Sequence, residues 1–156
     1  MGTNPVHELL DQRKVTYEVH DHPRAVDANR LAQSADVTGW DVAKPVLLAV
    51  GDELAMTVVP APVHVDLDKA GNLLGHGEVR LATEDEFVSR FPDCEPGAEP
   101  PFGNLYGIPV FLDETLRERQ RMVCRDGSHT TAIALAVSDY VEVVAPEIVD
   151  LATPPD

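Results

Sequence analysis

Apolar and polar positions alternate from Val15 to His20 as Val, Thr, Tyr, Glu, Val, His, which predicts a half-buried strand closing at His22-Pro23. Two more apolar, β-branched runs, Val42 to Val50 and Leu54 to Val59, are separated by Gly51-Asp52 and predict a hairpin at the centre of a sheet. Shorter runs at Val79–Leu81, Ile108–Leu112, Met122–Cys124 and Thr130–Val137 supply further strands. Helical spacing fills the gaps. Asn4 at an N-cap with Pro5 behind it starts a helix with Val6, Leu9 and Leu10 on one face, running to about Arg13. Asp27 caps a second helix with Ala28, Leu31, Ala32 and Ala35 inward, ending near Thr38-Gly39. A third opens at Val65-Asp66-Leu67-Asp68 and runs towards Leu74, with Gly75 and Gly77 ending it. Thr83 with Glu86 forms a capping box ahead of Phe87, Val88 and Phe91. Asp113 to Gln120 reads as a turn or short helix, and Ser138-Asp139 caps a last helix through Val144, stopped by Pro146.

About six strands interleaved with helices predict an α/β fold: a single domain with a mixed, curled, barrel-like sheet and surrounding helices. The domain spans residues 1–150, and residues 151–156, with a frayed Pro154-Pro155, form a short C-terminal tail.

One stretch fits neither period. Phe91 to Val110, FPDCEPGAEPPFGNLYGIPV, is punctuated by Gly97, Gly103 and Gly107 and stiffened by Pro96, Pro100, Pro101 and Pro109. Such a loop is either a connector or a rigid frame that offers backbone N–H groups to a carbonyl or oxyanion.

At 156 residues the chain suits one domain with an ordinary core. No apolar run approaches the roughly 18 residues of a membrane span, and no basic-then-apolar leader stands at the N-terminus, so a cytoplasmic protein is expected. Cys94 and Cys124 form neither a C-x-x-C pair nor a disulfide framework, which fits a reducing compartment and small core residues rather than reactive thiols. The net charge of −15 argues against strong non-specific nucleic-acid binding, since phosphate neutralisation needs clustered Lys and Arg. DNA is not an expected partner.

Four features could carry chemistry. Lys44 stands alone among Val42, Ala43, Val46, Leu47 and Leu48, either as an outward or snorkelling lysine or as a cation facing a pocket. His20-x-His22 has the spacing of two metal ligands but lacks a third at any recognised interval, so surface or turn histidines are expected and no metal. Ser128 lacks a nucleophile elbow, and its hydroxyl is expected to satisfy the turn. Arg117, Arg119, Arg121 and Arg125 are the densest basic run, either a solvated face paired with Glu114 and Glu118 or a contact for RNA phosphates.

The loop from Cys94 to Gly103 followed by Tyr106-Gly107-Ile108-Pro109-Val110 resembles the Gly-x-x-x-Pro loop of the YbaK/prolyl-tRNA synthetase-associated editing domain family. Asp41 to Leu48 is similar to that family's lysine-bearing strand, and Asp126-Gly127-Ser128-His129 with Ile133 to its second glycine turn. Lys44-Pro45 stands where many relatives carry Lys-Thr.

The resemblance implies a trans-acting aminoacyl-tRNA deacylase without metal or cofactor. Its expected substrate is the ester of a small mischarged amino acid of the Ala, Cys, Ser or Thr type, on a tRNA such as tRNA-Pro. It implies that Lys44, Gly97 and Pro101 are catalytic, with Lys44 orienting the acceptor end and the Gly97–Pro101 backbone holding the carbonyl or water. His22, Pro100, Phe102, Gly103, Gly127, Ser128 and His129 are the expected substrate-binding residues. Implied partners are the acceptor end of aminoacyl-tRNA and an aminoacyl-tRNA synthetase, with no membrane. The alternative is a non-catalytic module that binds tRNA ends or a synthetase; an esterase for another small acyl ester is a third reading.

Overall fold

A computed structural model of the chain describes residues 4–21, 38–74 and 78–153. The helix expected after Asp27, together with His22, Gly75, Gly77 and Pro154-Pro155, lies outside the described residues. The N-terminal expectation holds closely: helix α1 is Pro5–Gln12, and the Asn4 side chain accepts from the N–H groups of Val6 and His7. The strand that follows starts later than its alternation predicts. Val15 donates its N–H to the Leu10 carbonyl (2.9 Å) and Lys14 takes a left-handed φ of 59°, so the chain is still closing the helix there. Strand β1 is therefore Tyr17–Asp21.

The central hairpin is β2 (Ala43–Val50) and β3 (Glu53–Pro60), in register from Ala43↔Pro60 to Val50↔Glu53. Gly51 at φ +61° makes its turn. Next come β4 (His64–Val65), α2 (Leu67–Leu74), β5 (Val79–Leu81) and α3 (Glu84–Phe87), the last with the expected capping box. After the proline-rich loop, β6 (Val110–Asp113), α4 (Glu114–Arg117), β7 (Arg121–Arg125) and β8 (Thr131–Ala136) lead into α5 (Val137–Val144). The N-cap of α5 is Ala136, and Ser138 and Asp139 lie inside its first turn, because β8 runs straight into the helix.

Three strands were not foreseen: β4, where the sequence reads the opening of a helix, β9 (Glu147–Val149) and β10 (Ala152–Thr153). The fold is mixed α/β, but its strands fall into three sheets rather than one. The five-stranded sheet has the order β5-β2-β3-β6-β9, antiparallel at β5, β2 and β3 and parallel where β6 joins β3 and β9 joins β6. A three-stranded antiparallel sheet has the order β1-β8-β7, and β10 pairs with β4. No closed barrel forms among the described residues, since the backbones of the two larger sheets are joined only by the single bridge Val42↔Val123.

Residues 151–153 are part of the folded body rather than a loose tail. Leu151 is 1% exposed, and the buried carboxylate of Asp113 accepts from the N–H groups of Leu151 (2.8 Å) and Ala152 (3.0 Å). The main core packs Val6 and Leu10 of α1, Leu47, Met56 and Leu112 of the large sheet, Ile133 and Leu135 of β8, and Tyr140 of α5 around Phe91 and Phe102 of the loop. The loop is thus built into the core at both ends, which fixes where its middle sits.

Candidate functional site

The middle of the loop, residues 94–102, lies on the turn between β7 and β8. Two hydrogen bonds dock it: Glu95 N–H donates to the Gly127 carbonyl (2.8 Å), and His129 N–H donates to the Glu95 side chain at Oε1 (3.2 Å). His129 is only 3% exposed, and its Nε2 donates to the Pro96 carbonyl at 2.7 Å. A carbonyl can only accept, so Nε2 carries a proton in this contact.

Gly97 has a reason to be glycine. Its φ is +86°, and a Cβ there would stand 3.3 Å from His129 Cε1 and 3.5 Å from Nε2. The missing side chain makes room for the imidazole. The Gly97 N–H donates to Glu99 Oε2 (3.0 Å), and Ala98 N–H donates to the Glu95 carbonyl (2.9 Å), while Pro96, Pro100 and Pro101 have no N–H to give. The sequence suggests a loop that presents amides outward; in this arrangement the amides of Gly97 and Ala98 are turned inward. Glu99 is 6% exposed, and burial pushes its carboxyl above the ordinary range despite the Gly97 amide.

The other expected residues divide. Pro101 is buried, its carbonyl accepting from the Tyr140 hydroxyl, and Phe102 is fully buried edge-on against the Tyr140 ring at 5.3 Å. Phe102 is a core residue and presents no surface to a ligand. Gly103 is buried too, and a Cβ on it would lie 2.7 Å from the Ile108 carbonyl and 2.8 Å from Val110 Cγ2, so packing is what its glycine serves. Pro100 is buried beside them.

Gly127, at φ +106°, brings the turn against Cys94, whose Sγ would be 3.4 Å from an added Cβ. Ser128 behaves as its turn requires, its Oγ accepting from Thr130 N–H (3.1 Å) and lying 2.9 Å from Thr130 Oγ1. Burial raises both cysteine thiols, which leaves them packed and unreactive.

Lys44 sits half-buried on β2. Its ammonium donates to the carbonyls of Val63 (2.7 Å) and Ala61 (3.2 Å), and burial lowers its pKa. Neither a fully solvated nor a fully buried lysine describes it. Its neighbours on the same face are Val42, which packs with Ala61 and Val123, and Val46, which packs towards Leu48 and Val59.

Two of the arginines find distant partners: Arg119 Nε donates to Asp41 Oδ1 (2.6 Å), and Arg121 comes within 4.0 Å of Glu18. His20 bonds Glu18 (3.2 Å), and among the described residues no group of three His, Cys, Asp or Glu side chains could hold a metal. No helix among them is long and apolar enough to cross a membrane.

Three acidic residues at this junction carry weight that sequence reading did not give them. Glu95 and Glu99 flank Gly97 two residues to either side, and Asp126 precedes Gly127. The available signal was carboxylates set inside glycine turns, where they can accept from local amides.

Comparison with known proteins decides what this junction belongs to. Residues 22–143 match the model of the aminoacyl-tRNA editing domain. The chain belongs to the aminoacyl-tRNA editing domain family. The resemblance read from the loop, the lysine strand and the glycine turn is thereby borne out.

Proline--tRNA ligase of Shouchella clausii is 26% identical over 118 residues, 76% of this chain but only 19% of the ligase, so the chain spans about a fifth of that relative's length. Among solved structures, the hypothetical protein APE2540 aligns at TM-score 0.86 and 19% identity, covering 95% of this chain and 99% of that one. A protein described as a candidate trans-editing enzyme for prolyl tRNA synthetase aligns at TM-score 0.81 and 21% identity, covering 98% and 100%. Both likenesses speak to the fold of an editing domain. Family membership supports an aminoacyl-tRNA deacylase role, and the substrate is a separate question.

Proposed function

We propose that this editing domain hydrolyses, in trans, the ester between a small, wrongly attached amino acid of the Ala, Cys, Ser or Thr type and the terminal ribose of a tRNA, with tRNA-Pro the first to try. The need for such an activity is physical. A synthetase pocket shaped for a larger amino acid rejects one lacking a methylene by only about 1–3 kcal/mol, so a second site must supply the rest. The observation that carries the reading is the match to the editing family over residues 22–143, which spans Lys44, Gly97, Pro101 and His129 together.

The chemistry is ester hydrolysis. Water adds to the carbonyl carbon, and the tetrahedral adduct collapses by breaking the bond to the ribose oxygen, which leaves with a proton. Lys44 spends two of its three N–H bonds on Ala61 and Val63, which leaves the third, among the described residues, for a ribose or phosphate oxygen of the acceptor end. The Gly97–Pro101 backbone holds the carbonyl or the water. Because Gly97 N–H is given to Glu99, it reaches a substrate carbonyl only by exchanging that partner. Gly127, Ser128, His129 and His22 complete the binding side. No metal enters this scheme, and the partner is the acceptor end, with a synthetase supplying the rest of the grip on RNA.

A second reading, a module that docks tRNA ends or a synthetase without turnover, is favoured by the net charge of −15 and by the inward-turned loop amides. Incubation with tRNAs carrying Ala, Cys, Ser, Thr or Pro separates the two. Loss of one small amino acid's ester above the protein-free rate supports the enzyme, and binding without loss supports the module.

A further inference from the structure

The turn that carries His129 is held by a side chain that would not itself meet the substrate. Asp126 is 3% exposed. Its carboxylate accepts from Ser128 N–H (3.3 Å, Oδ1) and from the Thr131 hydroxyl, which lies 2.8 Å from both oxygens. The two acceptances close the arc from 126 to 131, and His129 stands inside that arc. On the other side His7 Nε2 lies 3.0 Å from Asp126 Oδ2, and Asn4 Nδ2 donates to the Asp126 carbonyl at 2.9 Å.

Asn4 therefore acts twice: its Oδ1 caps α1 while its Nδ2 ties the first turn of that helix to the β7–β8 turn. Four donors converge on one buried residue, from α1 and its cap, from the turn and from β8. A buried carboxylate kept for stability alone gains little over an apolar replacement, but one that fixes the geometry of a neighbouring group has a use that packing cannot supply.

We propose that Asp126 is the positioning residue of the editing site. Braced by His7, Asn4 and Thr131, it sets the arc that holds the His129 imidazole on Gly97, with Nε2–H on the Pro96 carbonyl. The N-terminal helix is then part of the site's support, although it offers nothing to the substrate. The kinetic half of this proposal rests on the deacylase reading; its structural half does not.

The test uses Asp126→Asn in the full chain, with Thr131→Val as a milder second variant that removes only the hydroxyl, and Asp113→Asn as a control. Asp113 is also a buried carboxylate that accepts from several N–H groups, but it serves the C-terminal segment. Imidazole ¹⁵N resonances of His129, read without substrate, are expected to show a protonated, hydrogen-bonded Nε2 in the wild type and in Asp113→Asn. They are expected to shift in Asp126→Asn and, less, in Thr131→Val.

Misplacement of a site group by 1 Å costs roughly 10²-fold in rate, so a partial loosening is expected to lower kcat about tenfold with KM within twofold. In a His129→Ala background the Asp126→Asn loss is expected to vanish, because both changes act through one ring. Unmoved His129 resonances in both variants, or an equal rate loss with and without His129, would overturn the proposal. If the wild type hydrolyses no ester at all, the deacylase reading fails, and the resonances still decide this one.

Discussion

Replacing Gly97 by alanine separates what the loop does from how stably it is held. Two costs follow from the geometry. A residue with a side chain at φ +86° is strained by about 1–2 kcal/mol. The new Cβ, 3.3 Å from His129 Cε1, also forces the ring outward by a few tenths of an ångström, weakening a hydrogen bond to Pro96 worth about 1 kcal/mol. Together these give roughly 2–3 kcal/mol, which for a domain of this size lowers Tm by about 4–12 °C.

Gly107→Ala is the natural control: φ is +69°, and nothing lies within 4 Å of its added Cβ, so it carries the strain without the clash. If the Gly97 amide and the His129 ring act on the ester, Gly97→Ala should cut single-turnover deacylation by about 10²–10³, as loss of an oxyanion donor does. Gly107→Ala should leave the rate within twofold while lowering Tm by about half as much. Single-turnover rates and thermal melts on both variants supply the comparison. Equal rate losses in the two, or a loss at Gly97 no larger than its Tm shift explains, would mean the loop is a connector.

Three other expectations follow. Lys44→Ala should abolish deacylation in a folded protein, and Lys44→Arg should not rescue it, because a planar fork does not replace a compact ammonium on the Ala61 and Val63 carbonyls. Burial lowers the Lys44 pKa, so if the ammonium is required the wild-type rate should fall as pH rises through that lowered value, earlier than an exposed lysine would dictate. Asp113→Ala should cost about 3–5 kcal/mol in a denaturant melt, the sum of a lost cap, an amide left buried at Leu151 and one left half-buried at Ala152.

Glu99 gives a pH signature with a definite sign. Its folded pKa is raised, so the folded state binds more protons than the unfolded one between the ordinary value of 4.5 and the raised one. The wild type should therefore lose stability relative to Glu99→Gln as pH rises across that window; a constant difference would contradict the assigned burial.

Local grammar made much of the fold legible. Asn4-Pro5, the Thr83–Glu86 capping box and the Gly51 turn each act within a few residues, and each appears where the sequence puts it. What escaped is held by partners far away. Strands β9 and β10 are three and two residues long, and β10 is placed by Asp113, nearly forty positions earlier. The site divides in the same way. The glycines and prolines announce a rigid loop, but only the fold reveals that Phe102 and Gly103 serve the core, that Glu99 takes the Gly97 amide, and that Asp126 reaches back 119 positions to His7.

The most direct test of the deacylase reading is multiple turnover. Protein at a hundredth of the substrate concentration should release free amino acid from one small mischarged tRNA through many cycles, with Pro-tRNA spared and Lys44→Ala silent. Release that stops at one equivalent, or that matches the protein-free rate on every tRNA while the tRNA is bound, would contradict it.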